Sequence, residues 1–236
     1  MSALRTRIAR LGEEYGLPEV AGRQLRALLD AVERDPVAPT TVTDPARGVE
    51  AHIADSLAGL RLSAVRDARV IADVGAGAGF PGLVLAAALP GARARLVDSV
   101  AKKCDFVRRA AAAAGLENVE VVHARAEDWP GGLERHDLVT ARAVAPLAVV
   151  VEYAAPLLQL DGRLVAWKGL RDPREEADGR AAAAATGLEA TEIVAVPPRR
   201  GAEHRHLHVY TKLSPTPAKF PRRPGMARKR PIVAPS

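Results

Sequence analysis

The stretch from Ile71 to Gly82 carries an apolar run, Ile71-Ala72-Asp73-Val74, straight into Gly75, Gly77 and Gly79, with Pro81 and Gly82 opening a helix. Glycines at such a turn permit φ > 0 and let a ligand lie against bare backbone. Pro81 falls near the first helical position, where its missing N–H is no loss. A second apolar run ends on Asp98, 23 residues past Gly75, the spacing at which a carboxylate meets the hydroxyls of a bound ribose. A third, Val119–His123, leads into Ala126-Glu127-Asp128-Trp129. There Glu127 or Asp128, with the Ala126 backbone, would bond an adenine edge, and Trp129 would flank the ring. These residue types at these spacings predict nucleoside binding. The plainer readings are a structural turn, an Asp98 that only caps the next helix, and a helix-starting acid pair beside a core Trp.

Two cofactors compete for such a site. Gly77-x-Gly79-x-x-Gly82 satisfies the dinucleotide fingerprint, which leaves an NAD-dependent oxidoreductase as an alternative. Against it, the matching glycines start two residues late. Asp73 also places a negative charge at the strand end, better suited to a sulfonium or an amine than to a pyrophosphate. S-adenosylmethionine is the better fit. A methyl transfer from it is an in-line displacement that needs no covalent nucleophile or metal. His204, His206 and His208 alternate without acid or Cys partners, so no metal site is expected.

Around these residues, short apolar runs alternate with helical segments from Ala68 onward, the pattern of βαβ units and a parallel sheet. The strands expected are Val70–Val74, Ala94–Asp98, Val119–His123, His136–Ala141, Gly162–Trp167, Thr191–Val196 and His206–Lys212, with helices near Gly82–Leu89, Lys102–Ala114, Ala145–Leu158 and Arg174–Thr186. No helix lies between the last two strands, where Pro197–Gly201 falls, which implies an antiparallel closing hairpin. The fold class expected is α/β: a doubly wound, Rossmann-like sheet (66–213) with an antiparallel last strand. It follows an N-terminal helical extension (1–65), in which apolar residues recur at helical spacing and the third helix runs from Ala46 to Leu60.

Net charge is +6, but unevenly placed. Lys212, Lys219, Arg222, Arg223, Arg228, Lys229 and Arg230 fall after residue 210 with no acid among them, leaving 27 basic against 28 acidic side chains before it. Six prolines after residue 213 and no apolar period predict an extended, mobile basic tail (214–236). Such a tail either contacts RNA phosphates or only aids solubility. Its removal is expected to leave cofactor binding unchanged. No apolar stretch is long enough to span a bilayer, the start of the chain lacks a signal-like apolar run, and Cys104 has no partner for an internal disulfide. A soluble cytoplasmic protein, monomeric and without membrane contact, is expected.

His52-Ile53-Ala54-Asp55-Ser56-Leu57, Asp73–Gly82, Leu96–Lys103, Thr140–Leu147 and Trp167-Lys168-Gly169 together, in this order, resemble the RsmG (GidB) family, over about residues 41–212. That family methylates N7 of a guanine in the 530 loop of bacterial 16S rRNA. The resemblance implies 16S rRNA, or an assembling 30S subunit, as partner. It also implies an S-adenosylmethionine site mapping onto Gly75, Phe80, Ala126, Glu127 and Arg142, beside the Gly77, Gly79 and Asp98 read from the residues themselves. His52, Asp55, Arg142 and Lys168 would position the substrate. By spacing alone, His52 and Asp55 read equally well as a polar helix face, and Arg142 as a solvated residue after a strand. Phe80 and Trp167 are candidates to stack on a splayed guanine, and both are equally candidates for the core.

Overall fold

The computed structural model describes residues 3–199 and 203–235. The sheet grows from short β-branched and Ala-rich runs: β1 (Val70–Val74), β2 (Arg93–Asp98), β3 (Val119–His123), β4 (His136–Arg142), β5 (Leu158–Lys168), β6 (Leu188–Ala195) and β7 (His206–Lys212). Their order is β3-β2-β1-β4-β5-β7-β6. The first five run parallel, and β7 inserts antiparallel between β5 and β6. Both faces are covered, so the central strands are buried on both sides, while the edge strands β3 and β6 stay partly exposed. Ile71 points into one core and its neighbour Ala72 into the other.

The first face holds α1 (Ala3–Tyr15), α2 (Ala21–Arg34) and the helical run that follows, packed with α6 (Gly82–Ala88) and α7 (Ala101–Ala113). That run contains α3 (Pro45–Gly48), a π-turn (Val49–Ala54), α4 (Asp55–Leu57) and a 3₁₀ turn (Ala58–Arg61), with α5 (Ser63–Arg66) just beyond. Asp44 caps it through the Ala46 and Arg47 amides, with Pro45 at the first position. The single regular helix expected there is thus a broken one. The second face holds α8 (Leu147–Ala154), buried along its whole length, and α9 (Pro173–Thr186). The helix expected to reach Leu158 gives way at Ala155-Pro156-Leu157 to a 3₁₀ turn, because Pro156 has no N–H to continue the α-helical ladder. β5 takes up the chain at once, four residues earlier than expected.

The largest departure is the C-terminal segment. Expected to be extended and mobile, it lies packed on the second face and includes a short helix, α10 (Met226–Lys229). Phe220 and Ala227 are buried, and Arg222 pairs through Nε with Glu152 Oε1 at 2.6 Å. A composition rich in proline and cations hid these few anchors. Two of the seven cations are also spent inside the fold. Besides Arg222, Lys212 is buried and donates to the Ala155 carbonyl and the Thr216 hydroxyl; burial pushes its pKa down to about 8.

Candidate active site

Parallel sheets of this type bind ligands beyond the carboxyl ends of the strands, where the strand order reverses. Here that point lies between β1 and β4, and a crevice of about 410 Å³ opens beside it. Its rim includes Gly75, Asp98, Ala126, Glu127 and Val144. Gly75, Gly77 and Gly79 all have positive φ (69°, 57° and 89°). At Gly75 the backbone also comes close to the loop after β4: a Cβ there would stand 2.7 Å from Val144 Cγ2.

Asp98, 6% exposed at the end of β2, has one carboxylate oxygen on the Gly77 N–H (3.0 Å) and the other on the Val100 N–H (2.9 Å). It therefore holds the glycine loop and lines the crevice while also turning the chain toward α7. Asp73, next to β1's last residue, is different. It is 1% exposed; its Oδ2 accepts from the Gly82 N–H at 3.0 Å and its Oδ1 from the Thr140 hydroxyl at 2.8 Å. Burial pushes its pKa up to about 6, against these two hydrogen bonds. The expectation that this charge faces a ligand cation is corrected: the carboxylate is turned into the fold. It also occupies the N-terminus of α6, the place where a dinucleotide's pyrophosphate would sit.

Glu127 lies at the crevice rim on a short 3₁₀ turn, Ala126–Asp128. One of its oxygens accepts from the Gly225 N–H of the C-terminal segment at 2.8 Å. Trp129 does not flank the crevice as expected. It packs over Gly132 and against the His136 ring, 5.3 Å between centroids.

His52, Asp55, Phe80 and Arg142 come together under the glycine loop. The His52 and Phe80 rings stack in parallel, 4.5 Å apart, and the Arg142 guanidinium lies 5.7 Å from the Phe80 centroid. His52 sits in the π-turn, a distortion frequent at functional sites, and its Nε2 bonds the Val42 carbonyl at 2.9 Å. Its Nδ1 has no hydrogen-bond partner among the described residues, and burial holds the ring's pKa below the ordinary value. Arg142 Nη1 donates to Asp55 Oδ2 (2.7 Å) and to the Ala51 carbonyl (3.0 Å), so it is not a solvated residue. Arg205 completes the cluster through Asp55 Oδ1 at 2.6 Å. Sequence reading missed Arg205, because 150 residues separate it from Asp55. Phe80 and Trp167 are both buried, and the Trp167 indole N–H donates to the Asp55 carbonyl at 2.8 Å. Neither ring is free to stack a splayed base. Lys168 stands apart, paired with Glu175 at 2.6 Å on the rim of a neighbouring cavity of about 740 Å³.

A seven-stranded sheet in this order with its last strand reversed, and a crevice walled by a glycine loop and two carboxylates, have the form of an S-adenosylmethionine-dependent methyltransferase, the class to which the family match assigns the chain. Within that class, the family described as GidB, rRNA small subunit methyltransferase G, matches residues 37–207, and the chain belongs to it. The ribosomal RNA small subunit methyltransferase G of Desulfitobacterium hafniense is 41% identical over 197 residues, covering 82% of this chain and 81% of that protein. The protein of the same name from Chloroflexus aggregans is 42% identical over 199 residues, covering 82% of each. Among solved structures, a 16S rRNA (adenine(1408)-N(1))-methyltransferase from Catenulisporales acidiphilia superposes with a TM-score of 0.51 at 20% identity, over 64% of this chain and 89% of its own. The mitomycin 7-O-methyltransferase MmcR gives 0.57 at 16% identity, over 78% and 60%. These two likenesses concern the fold.

Proposed function

We propose that this enzyme transfers a methyl group from S-adenosylmethionine to N7 of a guanine in the 530 loop of 16S rRNA. It acts in the cytoplasm, as a monomer, on the free RNA or the assembling small subunit. The observation that carries the reading is the crevice at the β1/β4 switch point, in a chain of the rRNA methyltransferase G family. The cofactor, when bound, supplies a methyl group activated by a sulfonium.

The chain's own residues hold and align. The bare backbone of Gly75, Gly77 and Gly79 lets the nucleoside lie close, Asp98 receives the ribose hydroxyls, and Ala126 and Glu127 meet the adenine edge. Phe80 and Arg142 brace the loop from beneath. His52, Asp55 and Arg142 from beneath the loop, and Lys168 from the rim of the neighbouring cavity, position the target nucleotide. Guanine N7 has an in-plane lone pair, so no protein group has to remove a proton first. Alignment alone contributes on the order of 7–11 kcal/mol to such a step. Exposed cations of the C-terminal segment contact RNA phosphates, which makes RNA affinity fall with salt.

Methyl transfer from labelled cofactor to 16S rRNA lacking the modification, followed by mapping of the labelled base, tests the reading. Label on one guanine of the 530 loop is expected. Label elsewhere, or none with protein that binds S-adenosylhomocysteine, contradicts it. Calorimetry should show S-adenosylhomocysteine binding and no heat with NAD or NADP.

A further inference from the structure

The C-terminal segment meets the crevice at two points. The Gly225 N–H takes one oxygen of Glu127, which fixes that carboxylate and leaves its other oxygen for a ligand. Three residues on, Arg228 lines both the crevice and the neighbouring cavity. Its Nη2 donates to the Val144 carbonyl at 2.9 Å. Val144 is the residue whose side chain abuts Gly75, and Ala143 before it holds a left-handed backbone, φ 55°. A non-glycine residue in that conformation persists only where its surroundings hold it. Arg228 is such a hold, reaching the loop from the far end of the sequence.

The segment is fastened on either side of these contacts. Before them, Arg222 pairs with Glu152, itself 3% exposed on α8, and Phe220 is buried. After them, the Ala234 N–H donates to Asp178 on α9 at 2.8 Å, and Arg174 donates to the Ala234 carbonyl at 3.1 Å. With the segment in place the crevice still measures about 410 Å³, so the segment walls the space without filling it.

We infer that residues 220–231 are an integral wall of the cofactor site, in which Gly225 orients Glu127 and Arg228 positions the Val144 loop against the bound nucleoside. Cofactor affinity then depends on the segment, and docking of the segment depends on cofactor. This reverses the expectation that removing residues 214–236 leaves cofactor binding unchanged. The inference rests on the assignment of the crevice to S-adenosylmethionine.

The test uses the full chain and S-adenosylhomocysteine. Arg228→Ala is expected to weaken binding about tenfold, the loss of a charge-assisted hydrogen bond, with the thermal midpoint of the ligand-free protein close to wild type. Arg228→Lys, which keeps one donor without the planar fork, should recover part of the affinity. Lys229→Ala removes the same charge one residue away, outside the crevice lining, and should stay within about twofold of wild type. Trypsin provides the second readout, since the cleavable bonds after Arg222, Arg228 and Lys229 fall within the segment. Saturating ligand should slow cleavage there about tenfold or more, because it favours the docked form by mass action. Wild-type or tighter affinity in Arg228→Ala, with cleavage equally fast with and without ligand, overturns the inference while the cofactor assignment stands. A wild-type chain that binds no S-adenosylhomocysteine brings down both.

Discussion

Asp73 and Asp98 end neighbouring strands and serve opposite purposes. Asp73 is sealed inside, where burial raises its pKa from 3.8 to about 6. As pH rises from about 4 to 7, the unfolded chain releases this proton before the folded one does. Stability from this group is therefore present at low pH and lost as pH passes through about 6. The difference is on the order of 3 kcal/mol. Asp73→Asn cannot titrate. Relative to this variant, wild type should lose stability between pH 4.5 and pH 7.5 in denaturant titrations. A wild-type-minus-variant difference that stays flat with pH would refute the assignment. Asp98 faces the crevice and also holds the Gly77 amide. Asp98→Ala should weaken S-adenosylhomocysteine binding by about 1–3 kcal/mol and lower the melting midpoint, since two backbone amides lose their acceptor. Wild-type affinity in calorimetry would leave Asp98 a structural cap only.

At the scale of elements, the break in the third helical run is what brings His52 and Asp55 to Arg142. The 3₁₀ turn that follows lays Gly59 against the Trp167 ring: a Cβ there would stand 2.6 Å from Cζ2. Gly→Ala within a helix ordinarily gains about 0.5–1 kcal/mol. Here the overpacking, typically about 1–3 kcal/mol, should win, and Gly59→Ala should destabilise the fold and shift Trp emission. A stabilised Gly59→Ala protein would show that this contact is not tight. The strands and the glycine loop were legible in the sequence because short apolar runs, turn glycines and terminal acids are local signals. The π-turn was not, since one extra residue in a helical turn leaves the apolar spacing nearly intact. Nor were the roles of Arg142 and Arg205, which are set by one buried carboxylate far away in the chain.

Over the whole molecule, two sparse features join distant parts. The N-terminal helices share a core with the sheet, Ile8 and Leu25 lying in one cluster with Leu83 and Leu96. The C-terminal segment closes the opposite face through Phe220, Arg222 and Ala227. Single buried anchors of this kind escape composition, which is why that segment read as mobile. Lys219, Arg223, Arg228, Lys229 and Arg230 remain exposed on it, and Arg228 carries positive charge to the cofactor crevice itself. In the proposed function a guanine N7 in rRNA receives the methyl group without help from a protein base. The most direct measurement compares methyl transfer to a 530-loop RNA carrying guanosine or 7-deazaguanosine at the mapped position, where a C–H replaces N7 and the rest of the base is kept. Transfer to the guanosine RNA and none to the 7-deaza RNA is the predicted result, with both RNAs bound equally. Equal transfer to both would place the methyl group on another atom and contradict the account.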